Sequence, residues 1–85
     1  MGTRGRKTPG QRLRTLRERL GLTIGEVQRR THRLAEVRKA PQLAVWKSRL
    51  SDIETNGRTP SIYALSALAQ TYDVDIKELL RWYGA

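Results

Sequence analysis

The sequence predicts an all-α domain, a bundle of five helices built from a chain of 85 residues. Three observations carry that reading. Apolar residues recur at spacings of three and four along most of the chain, and cap residues, glycines and prolines punctuate them at intervals suited to short helices. No stretch shows the strict alternation of a half-buried strand. A chain of this length holds one core at most, and with no cysteine it has no disulfide, thiol nucleophile or thiolate zinc site to draw on, so apolar packing has to stabilise it.

Residues 1–9, MGTRGRKTP, offer no apolar side chain after Met1 and carry three basic groups. They read as a flexible basic arm ahead of a domain at 10–85. Leu13, Leu16 and Leu20 then form the apolar stripe of a first helix that Gly21 closes. Thr23 and Glu26 make a T-x-x-E capping box, and Ile24, Val27, Thr31 and Leu34 sustain a long second helix to about Arg38, before Pro41 forbids continuation. After a connector at 40–44, Trp46, Leu50 and Ile53 share one face of a third helix over about 46–55. That phase turns Lys47, Ser48, Arg49, Ser51, Asp52 and Thr55 outward. Asn56-Gly57 ends the third helix, and Ser61 caps a fourth that carries Ile62, Leu65, Leu68, Ala69 and Tyr72. Asp75 and Glu78 form a second capping box that opens a fifth helix with Ile76, Leu79, Leu80, Trp82 and Tyr83.

The net charge of +9 is unevenly placed. Met1–Arg49 hold 14 basic and 3 acidic residues, net +11, whereas Leu50–Ala85 hold 3 basic and 5 acidic, net −2. Such asymmetry suits a polyanionic partner, nucleic acid above all. No apolar run approaches the length of a membrane span, and the basic N-terminus lacks the hydrophobic segment of a signal peptide, so a cytoplasmic location is expected and no membrane role. The lone histidine, His32, sits in a basic helical stretch with no cysteine and no local carboxylate cluster, which speaks against a metal site or a catalytic triad. No enzyme activity and no cofactor are expected.

The strings LRTLRERLGLT and LSDIETNGRTPSIYALSALAQTYDVDIKELL, joined by an E-x-V helix, resemble the Cro/phage-repressor type of helix-turn-helix domain, the XRE-like transcriptional regulators. The resemblance covers about residues 10–80. Its most specific piece is Ile53-Glu54, Gly57 and Pro60-Ser61, followed by the L-x-x-L-A and V-D-I-K-E-L-L blocks. It departs from the family at the turn between helices two and three: Gln28 stands where a small residue is usual, and no glycine occurs between Gly25 and Gly57. With Val27 and Val45 as the paired aliphatics the separation is 18 residues, and the turn is expanded. Taking Leu34-Ala35 as the aliphatic and small pair restores the small residue but still leaves extra residues before Val45.

The resemblance implies a five-helix bundle of the phage-repressor-like type and a sequence-specific binder of double-stranded DNA that acts as a transcriptional regulator of the repressor kind. It places the third helix in the major groove. Lys47 and Arg49 then suit guanine O6 and N7, Ser48 and Ser51 a base edge or a phosphate, and Asp52 cytosine N4. For Asp52 the competing use is to orient Arg49 or to cap a backbone group; Ser48 or Ser51 as an N-cap would start the helix later. Trp46 can serve as a base wedge or as a core anchor, and its spacing to Leu50 and Ile53 favours the core. Phosphate contacts fall to Gln11, Arg12, Arg29, Arg30, Arg33, Arg58, Thr59 and Ser61. The arm residues Arg4, Arg6 and Lys7 suit a minor groove or simple solvation. In relatives of this pattern an Arg and a Glu at the places of Arg17 and Glu54 form a structural ion pair.

One such domain covers a modest length of DNA, so a homodimer on a palindromic operator is expected, with Trp82 and Tyr83 as dimer contacts or as the seal of the core. The extra residues 32–44 are a second place for a protein partner. That leaves two alternatives: an antitoxin-type DNA binder with a protein toxin as partner, or a protein-bridging or RNA-binding module on the same fold.

Overall fold

Residues 7–84 are described by the structure, a computed structural model. They form α1 (Pro9–Arg19), α2 (Ile24–Arg38), a 3-10 turn (Pro41–Leu43), α3 (Lys47–Thr55), α4 (Ile62–Tyr72) and α5 (Ile76–Trp82). Among the described residues there is no strand. The architecture is the expected all-α arrangement of five helices, with α2 the longest at 15 residues.

Local capping chemistry sets most helix starts. Thr8 opens α1: its hydroxyl accepts the Gln11 N–H at 3.2 Å while Gln11 Oε1 accepts the Thr8 N–H at 2.9 Å, a reciprocal box with Pro9 at the first helical position. Thr8 and Pro9, assigned by composition to the arm, therefore belong to the helix start. Arg4 and Arg6 lie outside the described residues. Thr23 and Glu26 form the expected box on α2, at 3.1 and 2.9 Å. Ser61 Oγ accepts the Ala64 N–H at 3.0 Å and starts α4. On α5 the expected box does not form: Asp75 still caps the helix, but by accepting the Lys77 N–H at 2.9 Å, and Glu78 turns to Arg81, 3.3 Å away.

The core gathers Leu13, Val27, Val45, Leu50, Ile53, Leu65, Leu68, Tyr72 and Leu79 from all five helices and the connector. Leu20, read as the end of the α1 stripe, is instead 46% exposed. It is the C-cap residue, and Gly21 turns the chain away immediately after it with φ of +73°, a left-handed conformation that glycine adopts without steric cost. Leu22 takes the buried place.

Two features lock α1 onto α3. A Cβ added to Gly10 would overlap the carbonyl oxygen of Ile53 and lie 3.1 Å from that of Glu54, so the two backbones touch where only glycine fits. Two turns further along α1, past Leu13, the apolar stripe gives way to Arg17, buried with Glu54.

The expanded turn is a helix extension with a return. Thr31, in the middle of α2, accepts the Val45 N–H at 3.0 Å, yet α2 runs two more turns before Lys39 breaks it in the left-handed conformation, φ +53°. The chain then comes back through the 3-10 turn, burying Leu43, and reaches α3. Arg38 Nη2 donates to Gln70 Oε1 at 2.8 Å, tying the extension to α4.

Candidate nucleic-acid interface

The geometry of α3 follows from what grips its two ends. At the N-terminus no side chain of α3 caps the helix; Trp46 holds the N-cap position in extended conformation, ψ 153°. The missing cap comes from α2, where Gln28 Oε1 accepts the Lys47 N–H at 2.7 Å. The length of the Gln28 side chain lets it reach one of the four N–H groups of α3 that have no partner within the helix. Thr31, fully buried, accepts from Val45 and donates to the Gln28 carbonyl at 3.0 Å.

At the other end Arg17 Nε and Nη2 donate to the two carboxylate oxygens of Glu54 at 2.8 and 2.9 Å, and Nη1 donates to the Leu22 carbonyl at 2.8 Å. Arg17 is 8% exposed and Glu54 3%. Its hydrogen bonding to the Glu54 carboxylate holds the Arg17 guanidinium even more firmly protonated than usual, against the opposing effect of burial. One guanidinium thereby joins α1, the α1–α2 turn and α3, with the planar fork geometry that a lysine cannot supply.

Between these grips α3 presents Lys47, Ser48 and Arg49, all exposed and free of ion pairs among the described residues, with Ser51 half-buried behind them. The helix begins at Lys47; neither Ser48 nor Ser51 caps it. Asp52 does not orient Arg49. Its carboxylate accepts from Asn56 Nδ2 at 2.8 Å and lies 3.7 Å from the Arg58 guanidinium, and its backbone carbonyl accepts the Asn56 and Arg58 N–H groups. It organises the turn that leads to α4. Arg58 and Thr59 are exposed there beside Ser61 at the N-terminus of α4, where free N–H groups and the helix dipole favour an anion.

On α2, Arg29, Arg30 and Arg33 line one shallow surface with Glu26. Arg29 follows Gln28, the residue that caps α3. Arg30 also lines a cleft with Leu34, Gln70 and Thr71 against α4. The α1 candidates are more engaged than their sequence context suggests. Gln11 spends its carbonyl oxygen on the Thr8 box, Arg12 stands 5.8 Å above the Trp82 ring, near the limit of a cation–π contact, and Lys7 donates to Thr15 Oγ1 at 2.7 Å. Trp82 and Tyr83 are half-buried and pack on the core, and the Tyr83 hydroxyl is buried with no partner among the described residues.

Trp46 departs most from the sequence expectation. It is 60% exposed, because the N-cap residue precedes the helix and its side chain does not follow the helical phase of Leu50 and Ile53. The His32 ring meets it edge-on at 4.3 Å with an interplanar angle of 89°. The inter-helix roles of Gln28, Thr31 and Gly10 carry no local signal in the sequence, since their partners lie 14 to 19 residues away for the first two and across the bundle for Gly10. The Thr8–Gln11 box, by contrast, is written in the chain as T-P-G-Q.

No helix among the described residues is long and apolar enough to cross a membrane, and among the same residues no group of three or more His, Asp or Glu side chains could hold a metal ion. A protein-family model described as a helix-turn-helix domain matches residues 10–82. No curated protein and no solved structure matches the chain.

Proposed function

The chain belongs to the helix-turn-helix domain family, and on that premise we propose that it binds double-stranded DNA sequence-specifically as an XRE-like transcriptional regulator, a repressor by its likeness to the phage type. The observation that supports this best is the isolated, unpaired Lys47–Ser48–Arg49 face at the start of a helix gripped at both ends. A base-reading side chain needs a rigid carrier, since ordering it on binding would cost affinity. Lys47, Ser48, Arg49 and Ser51 read bases in the major groove, with Arg49 the leading specificity residue, bidentate to a guanine. Asp52 contributes by fixing Arg58, which joins Thr59, Ser61, Arg29, Arg33 and Arg30 on phosphates. Gln11 and Arg12 add phosphate contacts from α1, and the arm residues Arg4 and Arg6, joined by Lys7 once it leaves Thr15, reach the adjoining minor groove. Two copies on a palindromic site double the contact, with the exposed parts of Trp82 and Tyr83 offered to the partner copy.

Duplex binding measured by fluorescence anisotropy across a salt series tests this. Some four phosphate contacts per subunit give a log–log slope of roughly −3 to −4, and Arg29→Ala weakens all sequences alike and flattens the slope by about 1. Binding that ignores salt, or that prefers single-stranded RNA to duplex DNA, contradicts the proposal.

A further inference from the structure

An exposed tryptophan at the tip of a DNA-reading helix invites a specific question: what covers it. Trp46 directly precedes Lys47, at the end of α3 that enters the major groove first in helix-turn-helix docking. Its neighbours on both sides are pinned to α2, Val45 by Thr31 at 3.0 Å and Lys47 by Gln28 at 2.7 Å. His32 braces the ring itself, edge-on at 4.3 Å. The ring is therefore held out on fixed backbone, and little freedom is lost when something packs on it.

Behind it runs a groove of about 600 Å³ lined by Ala35, Pro41, Ala44 and the rings of His32 and Trp46, with one acidic and one basic residue, Glu36 and Lys39, that offset each other. The exposed Trp46 ring, followed directly along the chain by the exposed cations Lys47 and Arg49, fits a ligand that is apolar at one point and anionic around it. The major groove offers one such feature, the 5-methyl group of thymine, set between phosphate strands. Intercalating wedges act from the minor groove, which α3 does not address. We infer that Trp46 is a further specificity-determining residue, one that packs against a thymine methyl in the major groove beside the base read by Arg49. This rests on the duplex-binding proposal above.

The test uses the full chain and the best duplex from a randomised pool, in which each thymine is replaced singly by deoxyuridine. Removing the contacted methyl from the DNA weakens wild-type binding about three- to fivefold at one position per half-site. The informative variant is Trp46→Ser, because serine at an N-cap supplies a side-chain acceptor that tryptophan lacks and so favours the helix. Trp46→Ser binds the duplex with the wild-type salt slope but equally well with thymine or deoxyuridine at that position. If wild-type binding is insensitive to every methyl, or if Trp46→Ser keeps the sensitivity, the inference is overturned while the duplex-binding proposal stands. If Trp46→Ser changes the oligomeric state and not the methyl sensitivity, the ring is a protein contact and the inference is again overturned. Absence of any duplex binding removes both.

Discussion

Arg17 and Glu54 show how few atoms decide the placement of α3. Replacing Glu54 with Ala strands a guanidinium that is 8% exposed, and the expected loss is about 3–5 kcal/mol, read as a lower urea midpoint at unchanged slope. Gly10→Ala pushes a methyl into the Ile53 carbonyl and costs about 1–3 kcal/mol in the same measurement. The pair was readable in the chain only through the resemblance to phage repressors, and Gly10 was not readable at all, because a close approach between two backbones leaves no trace in either local stretch. Tyr72 makes a pH-dependent prediction. Burial, and secondly the Glu54 charge, push its hydroxyl well above the ordinary tyrosine value. The neutral form is favoured in the folded state, so its contribution is complete below pH 10 and is lost as pH rises further. Stability accordingly falls in alkali, and Tyr72→Phe, which also removes a buried hydroxyl without a partner, reduces that fall while leaving stability at neutral pH unchanged or slightly higher.

At the scale of elements, the helices announced themselves through caps and the connections between them did not. Thr23 with Glu26, Ser61 and Asp75 lie within one turn of the bonds they make, so pattern and structure agree. The N-terminus of α3 is capped from another helix, and the apolar spacing of Leu50 and Ile53 runs one residue beyond the helix, to Trp46. Gln28→Ala removes that remote cap. It is expected to cost about 1 kcal/mol and to weaken DNA binding more than stability, since the first turn of α3 frays where Lys47 and Arg49 sit. Thr31→Val leaves the buried Val45 N–H unpaired and costs about 1–3 kcal/mol. The α2 cap is acid-sensitive. The Thr23 backbone N–H, then its side chain, hold the Glu26 carboxyl below the usual range, so its help to the helix start is present at neutral pH and fades as pH falls through the carboxylate range. Circular dichroism followed below pH 4.5 in wild type and Glu26→Gln reads this: wild type loses helicity on acidification, and the variant changes less.

The whole molecule divides its labour along the chain. The N-terminal part carries net +11 and the C-terminal part net −2. The buried core draws on both, while α4 and α5 back the helices that face outward. That division was legible from composition alone. What composition could not supply was the path of residues 39–46, which turns an apparent insertion into a support that fixes Trp46 beside His32 and Lys47 beside Gln28. In the function proposed above, this support and the Arg17–Glu54 pair hold α3 rigid as a reader of duplex sequence. Selection from a randomised duplex pool by the wild-type chain and by Arg49→Ala tests it most directly. One enriched, two-fold symmetric sequence is expected for the wild type, and for the variant the same sequence with a single guanine position per half-site relaxed, at a cost of about 1–3 kcal/mol. No enrichment by the wild type, or an identical sequence preference after the substitution, would contradict it.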